Sequence, residues 1–108
     1  MHFKHTLAIA SLLLLPGAAA AQDLGNAGVG MEYAERACAE CHDVDAGGEI
    51  SPNPDAPSFQ SVADTTGMSP RALVVWLQTS HPTMPNLIVK PNDMDNVIAY
   101  IMSLRRPK

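Results

Sequence analysis

Apolar side chains at Met94, Val97, Ile98, Ile101 and Met102 follow one another at steps of three and four. That spacing lines one stripe of an α-helix starting near Pro91-Asn92. Asp93 and Asp95 in its first turn and Arg105-Arg106 at its end suit the two poles of the helix dipole. An earlier helix is announced by Ser69 as cap and Pro70 at the first helical position, with Leu73, Val74, Trp76 and Leu77 as its apolar face. Pro82 and Pro85 end it. From about Asn26 to Glu40, Gly30, Met31, Ala34, Ala37, Cys38 and Cys41 recur at helical steps. Gly28 and Gly30 lower helix propensity there, and such glycines often mark the close approach of another backbone. "PSFQSVAD", residues 57–64, reads as a short helix with Phe59 and Val62 facing inward. Period-two alternation is nowhere sustained, so the fold class is all-α.

The stretch from Asp43 to Pro57 holds Gly47, Gly48, Pro52, Pro54 and Pro57 and has no regular period. It is too long for an idle connection in so small a domain, and is expected to wrap around something.

The N-terminal segment belongs to no such pattern. Lys4, an apolar run from about Thr6 to Leu15, Pro16-Gly17 and four alanines form the three regions of a secretory signal. Ala19-x-Ala21 places cleavage after Ala21, so residues 1–21 are read as a cleaved signal peptide and 22–108 as one domain. The run is short for a membrane span of ~20 residues, and no stable membrane insertion is expected after cleavage. The expected location is the periplasm. A domain of this size has little core and benefits from a staple such as a disulfide, metal or cofactor.

Charge narrows the partners. Residues 22–70 hold nine acids against Arg36 alone, a net of −8, whereas residues 71–108 carry a net of +3. An acidic balance excludes nucleic acid. The asymmetry reads either as a solvated surface or as a dipole that orients the molecule toward a partner.

The chemistry lies in Cys38-Ala39-Glu40-Cys41-His42, which contains both cysteines of the chain. Three chemistries use such a unit: a dithiol redox pair, a metal site, or covalent haem attachment. A redox pair belongs at the head of a helix in a βαβ setting, where a thiol pKa is lowered; here the pair ends a helix and no strand is present. Structural zinc needs four ligands, and the next histidine of the domain, His81, lies far from His42. Haem attachment uses every position: two thiols add to the vinyl groups on one macrocycle edge, and the following imidazole reaches the iron.

A second axial ligand would then be needed. Met31, Met94 and Met102 lie in helical stripes and read as packing, while Met68 precedes a cap. Met84 lies in "HPTMPN", between two prolines that fix the loop and offer no N–H. His81 is the alternative ligand, although a histidine at a helix end also serves the last carbonyls. A thioether opposite imidazole favours ferrous iron.

The N-terminal helix, "CAECH", the proline loop, "AP-S-F", the helix with Trp76, "MPN" and the "VIAYIMSLR" helix together resemble a small bacterial class I (mono-haem) cytochrome c, over residues 25–106. The resemblance implies three to four helices around one haem c, covalent through Cys38 and Cys41, with His42 and Met84 as iron ligands. It further implies that the Pro57 carbonyl accepts the His42 Nδ1–H bond (Pro54 being the neighbouring alternative). It places Asn86 near the Met84 sulfur, Trp76 beside a haem propionate, and Gly30 and Tyr33 against the last helix near Tyr100. The function it implies is a soluble, monomeric one-electron carrier between a redox-protein donor and acceptor, and not an enzyme. Lys90 and Lys108 alone remain after cleavage, so a partner that reads a ring of lysines is not implied. The alternatives are a cytochrome subunit of a multi-subunit oxidoreductase and a haem sensor with a displaceable methionine. Gas-binding four-helix haem proteins carry the cysteine motif near the C-terminus, whereas here it comes early.

Overall fold

In the computed structural model, Met1, residues 25–79, Met84 and residues 87–108 are described. Four helices occur among them: α1 (Ala27–Ala37), α2 (Phe59–Asp64), α3 (Pro70–Gln78) and α4 (Pro91–Ser103). No strand occurs among the described residues, and the all-α expectation holds.

Each start has a local cause. The side chains of Asn26, Ser58 and Ser69 accept the N–H groups of Val29, Ser61 and Ala72, satisfying donors that a first turn leaves open. Proline opens both α3 and α4, where its missing N–H is harmless. Lys90 precedes α4 without a side-chain cap bond. α1 ends three residues earlier than the expected Glu40, because Cys38–Glu40 form a turn.

α4 is the hub and packs on each of the other three helices. Its stripe is as the spacing predicts: Met94, Val97, Ile98 and Ile101 are buried, and Met102 packs at the edge. Burying each such side chain contributes about 1.5–3 kcal/mol, so this stripe outweighs any single polar contact in the domain. The tightest contact is between α1 and α4. A Cβ at Gly30 would overlap the carbonyl of Asn96 and press on the Cβ of Tyr100, so the two backbones touch there. Asn96 also accepts the Asn26 N–H through Oδ1 at 2.8 Å, tying the head of α1 to the middle of α4. The expected approach of Gly30 to Tyr100 is therefore present, and Tyr33 packs at the margin of the same core.

Three expectations are corrected. Met31, read as packing, is 41 % exposed and outside the core, beside buried Gly30. Trp76, placed on the inward face of α3, is 56 % exposed, and Leu73 alone on that helix is buried. Arg105 and Arg106 lie beyond the end of α4 and do not serve its dipole from within. They fold back instead: Arg105 Nη1 donates to Met68 O at 3.0 Å, and Arg106 pairs with Asp64 at 2.7 Å. The expected leader, residues 1–21, falls outside the described residues apart from Met1. No helix among the described residues is long and apolar enough to cross a membrane.

Candidate haem-attachment site

The cysteine motif is positioned by the way α1 ends. Cys38 and Ala39 both donate to Ala34 O, at 2.8 and 3.0 Å, and Cys41 and His42 then donate to Cys38 O at 3.2 and 2.9 Å. Helical turning thus persists past the helix, and two residues three apart on such a turn lie on one side of it. Both thiols are unpaired and half-buried. Burial pushes the Cys38 thiol up to about 11. A dithiol redox pair needs the opposite shift, so Cys38 lacks the environment of a reactive thiol.

His42 is held from several directions. Its Nδ1 lies 2.7 Å from Pro57 O. A carbonyl can only accept, so Nδ1 carries the proton and Nε2 keeps a bare lone pair. The bond is to Pro57, and the neighbouring Pro54 is not the acceptor. The Phe59 ring is 5.5 Å from the imidazole, and the Tyr100 ring is 6.4 Å from Phe59. Three rings thus run from His42 to α4 and shield one flank of the imidazole.

The segment 43–57 wraps this arrangement. Asn53 N–H donates to Cys41 O at 3.1 Å, Asp43 N–H to Ser51 Oγ at 3.0 Å, and Phe59 N–H to Asp43 O at 2.8 Å. Tyr100 Oη donates to Val44 O at 2.5 Å, fastening the segment to α4. Burial, with the charges of Asp45, Glu35 and Asp43, raises the Tyr100 pKa, so this hydroxyl keeps its proton and remains a donor. Gly47 takes φ +74°, a conformation in which other residues are strained.

The structure therefore brings Cys38, Cys41, His42 and Pro57 together. Met84 is half-buried in a bend after α3, and Trp76 on α3 is 56 % exposed. Asn86 and the alternative ligand His81 fall outside the described residues. Two participants were not read as site residues, Phe59 against the imidazole and Gln60 under the loop. Phe59 was legible only as a core residue, and Gln60 gave no signal beyond its place beside it. Among the described residues no three His, Cys, Asp or Glu side chains gather as a metal site.

An all-helical domain whose first helix ends in two tethering thiols and a tautomer-fixed histidine defines a class, the proteins that carry haem covalently. The donor set fits haem c: two unpaired thiols and an imidazole whose Nδ1 is engaged by the Pro57 carbonyl. The family model "Cytochrome c" matches residues 29–105, and the chain belongs to the cytochrome c family, whose members carry electrons on a covalently held haem. The chain is also 35 % identical over 105 residues to cytochrome c-552 of Bradyrhizobium diazoefficiens, covering 97 % of this chain and 99 % of the relative. A short second match, to "Sex factor F TraW protein N terminal", spans residues 5–29 only. No solved structure gives a significant match.

Proposed function

We propose that this chain is a soluble, exported one-electron carrier with histidine and methionine as axial ligands. Haem supplies the iron, which exchanges one electron at a time. Cys38 and Cys41 hold it as thioethers, so it becomes part of the core of a small domain. His42 offers Nε2, while Pro57 O holds the proton on Nδ1, orienting the ring and raising its basicity. The observation that carries this reading is that 2.7 Å bond, which leaves the histidine one free nitrogen. Met84 is the second ligand in this proposal, its half-buried bend following a helix and preceding α4. A haem held by both His42 and Met84 would offer no open position for bond-making chemistry, so the proposed role is a carrier and not an enzyme. The proposed route is export through residues 1–21 to the periplasm, with redox proteins as donor and acceptor and a monomer as the working form.

The test is a visible spectrum of the purified protein, oxidised and reduced. A c-type reduced spectrum together with the weak near-red band of methionine–iron ligation is expected. Met84→Ala should abolish that band; a band unchanged in the variant would move the ligand assignment elsewhere.

A further inference from the structure

Gln60 is 4 % exposed, yet both of its polar atoms are engaged. Its Oε1 accepts the Gly47 N–H at 2.8 Å. Its Nε2 donates to Leu104 O at 2.7 Å and to Asp64 Oδ2 at 3.0 Å. The amide orientation follows from its partners, since Gly47 N can only donate and Leu104 O can only accept. One side chain on α2 therefore spans from the positive-φ turn of the 43–57 segment to the carbonyl that closes α4. Buried amides left without partners cost about 1–3 kcal/mol each, so a position that only filled space would favour an apolar residue.

Gln60 lies three residues after Pro57, whose carbonyl meets His42, and one after Phe59, whose ring meets the same imidazole. We infer that Gln60 is a positioning residue: it braces α2 and the wrapping segment against the end of α4, and so sets the Pro57 carbonyl on His42 Nδ1. Loosening the brace weakens that bond, lowers the basicity of the imidazole and shifts the reduction potential to more positive values. The inference rests on His42 as an iron ligand.

The experiment compares haem-loaded wild type with Gln60→Met, which keeps the volume and removes all three bonds, and with Arg106→Gln, which removes only the guanidinium contacts to the adjacent Asp64 and leaves the Arg106 backbone N–H bond to it. Amide exchange at Gly47, exchange of the His42 ring N–H, reduction potential and thermal midpoint are measured on each. Gln60→Met should speed exchange of both protons by about tenfold, the scale of one lost buried hydrogen bond, and raise the potential. Arg106→Gln should lower the midpoint alone. If Gln60→Met lowers the midpoint while ring exchange and potential match Arg106→Gln, Gln60 is a packing residue and the inference falls. Should Gln60→Met not accumulate folded, Gln60→Asn keeps a neutral amide that is one methylene too short to reach the Gly47 N–H and Leu104 O together, and should show the same changes at smaller size; no change in ring exchange or potential overturns it equally. If His42 is not the ligand, its ring signals in the ferric wild type will lack a paramagnetic shift. That result is separate from the variants; it overturns the ligation reading and, with it, the link to the potential.

Discussion

The α1–α4 seam and the wrapping segment 43–57 are built on different principles. The seam is apolar and close, with Gly30 against the Asn96 carbonyl and Val97, Ile98 and Ile101 behind it. The segment buries Val44 as its one apolar core residue; its own Ser51 Oγ accepts the Asp43 N–H, Gln60 Oε1 accepts the Gly47 N–H, and Tyr100 Oη donates to Val44 O. Losing contact in the first removes the platform on which everything else packs. Losing a bond in the second is expected to leave the helices standing and to shift the Pro57 carbonyl that meets His42 Nδ1. The seam thus carries the apolar packing of the domain, and the segment carries polar contacts around His42.

Three substitutions and one titration separate these parts, beginning with the severest. Gly30→Val drives a branched side chain into the backbone of α4. The obstacle cannot rotate away, so the loss should be on the order of 4 kcal/mol, at the upper end for point changes. Circular dichroism on heating should show a chain without a cooperative transition near that of the wild type; a wild-type midpoint would mean the seam is looser than described. Tyr100→Phe leaves the seam and removes the donor to Val44 O. A loss of about 1–2 kcal/mol is expected, with amide exchange quickened in 43–57 and unchanged in α4.

The pH response tests the C-terminal fold-back. The Asp64 carboxyl is lowered to about 2, first by the Arg106 backbone N–H, then by hydrogen bonds from the side chains of Gln60 and Arg106. A depressed carboxylate stabilises above its unfolded pKa and loses that contribution as pH falls toward its folded pKa. Thermal midpoints of wild type and Asp64→Asn should therefore differ at neutral pH and converge between about pH 4 and pH 2. Curves that stay parallel through that window would remove Asp64 from the account. Least of all, Ile50→Ser, at a side chain 87 % exposed in the segment, should change stability by no more than about 0.5 kcal/mol.

What could be read in advance was local. The Ser69-Pro70 start, the α4 stripe and the cysteine–histidine unit are signals confined to a turn or two, and each has its expected structural counterpart. What escaped reading depends on partners far along the chain. Arg106 meets Asp64 across 42 positions, and Gln60 meets Leu104 across 44. Trp76 shares helical spacing with Leu73 and Leu77, but the surface α4 offers to α3 decides which of them is covered. The Pro57 contact lies between these extremes: the motif called for an acceptor, and only the folded segment distinguishes Pro57 from Pro54.

The bond between Asn26 and Asn96 joins positions seventy residues apart, so the domain closes end to end. A chain that emerges from its N-terminus presents Cys38, Cys41 and His42 long before the helix that will cover α1 has been made. During that interval the attachment segment is open to whatever must act on it, and the arrival of α4 ends the interval. A chain interrupted before Asn96 would carry the motif intact and have nothing to close over it.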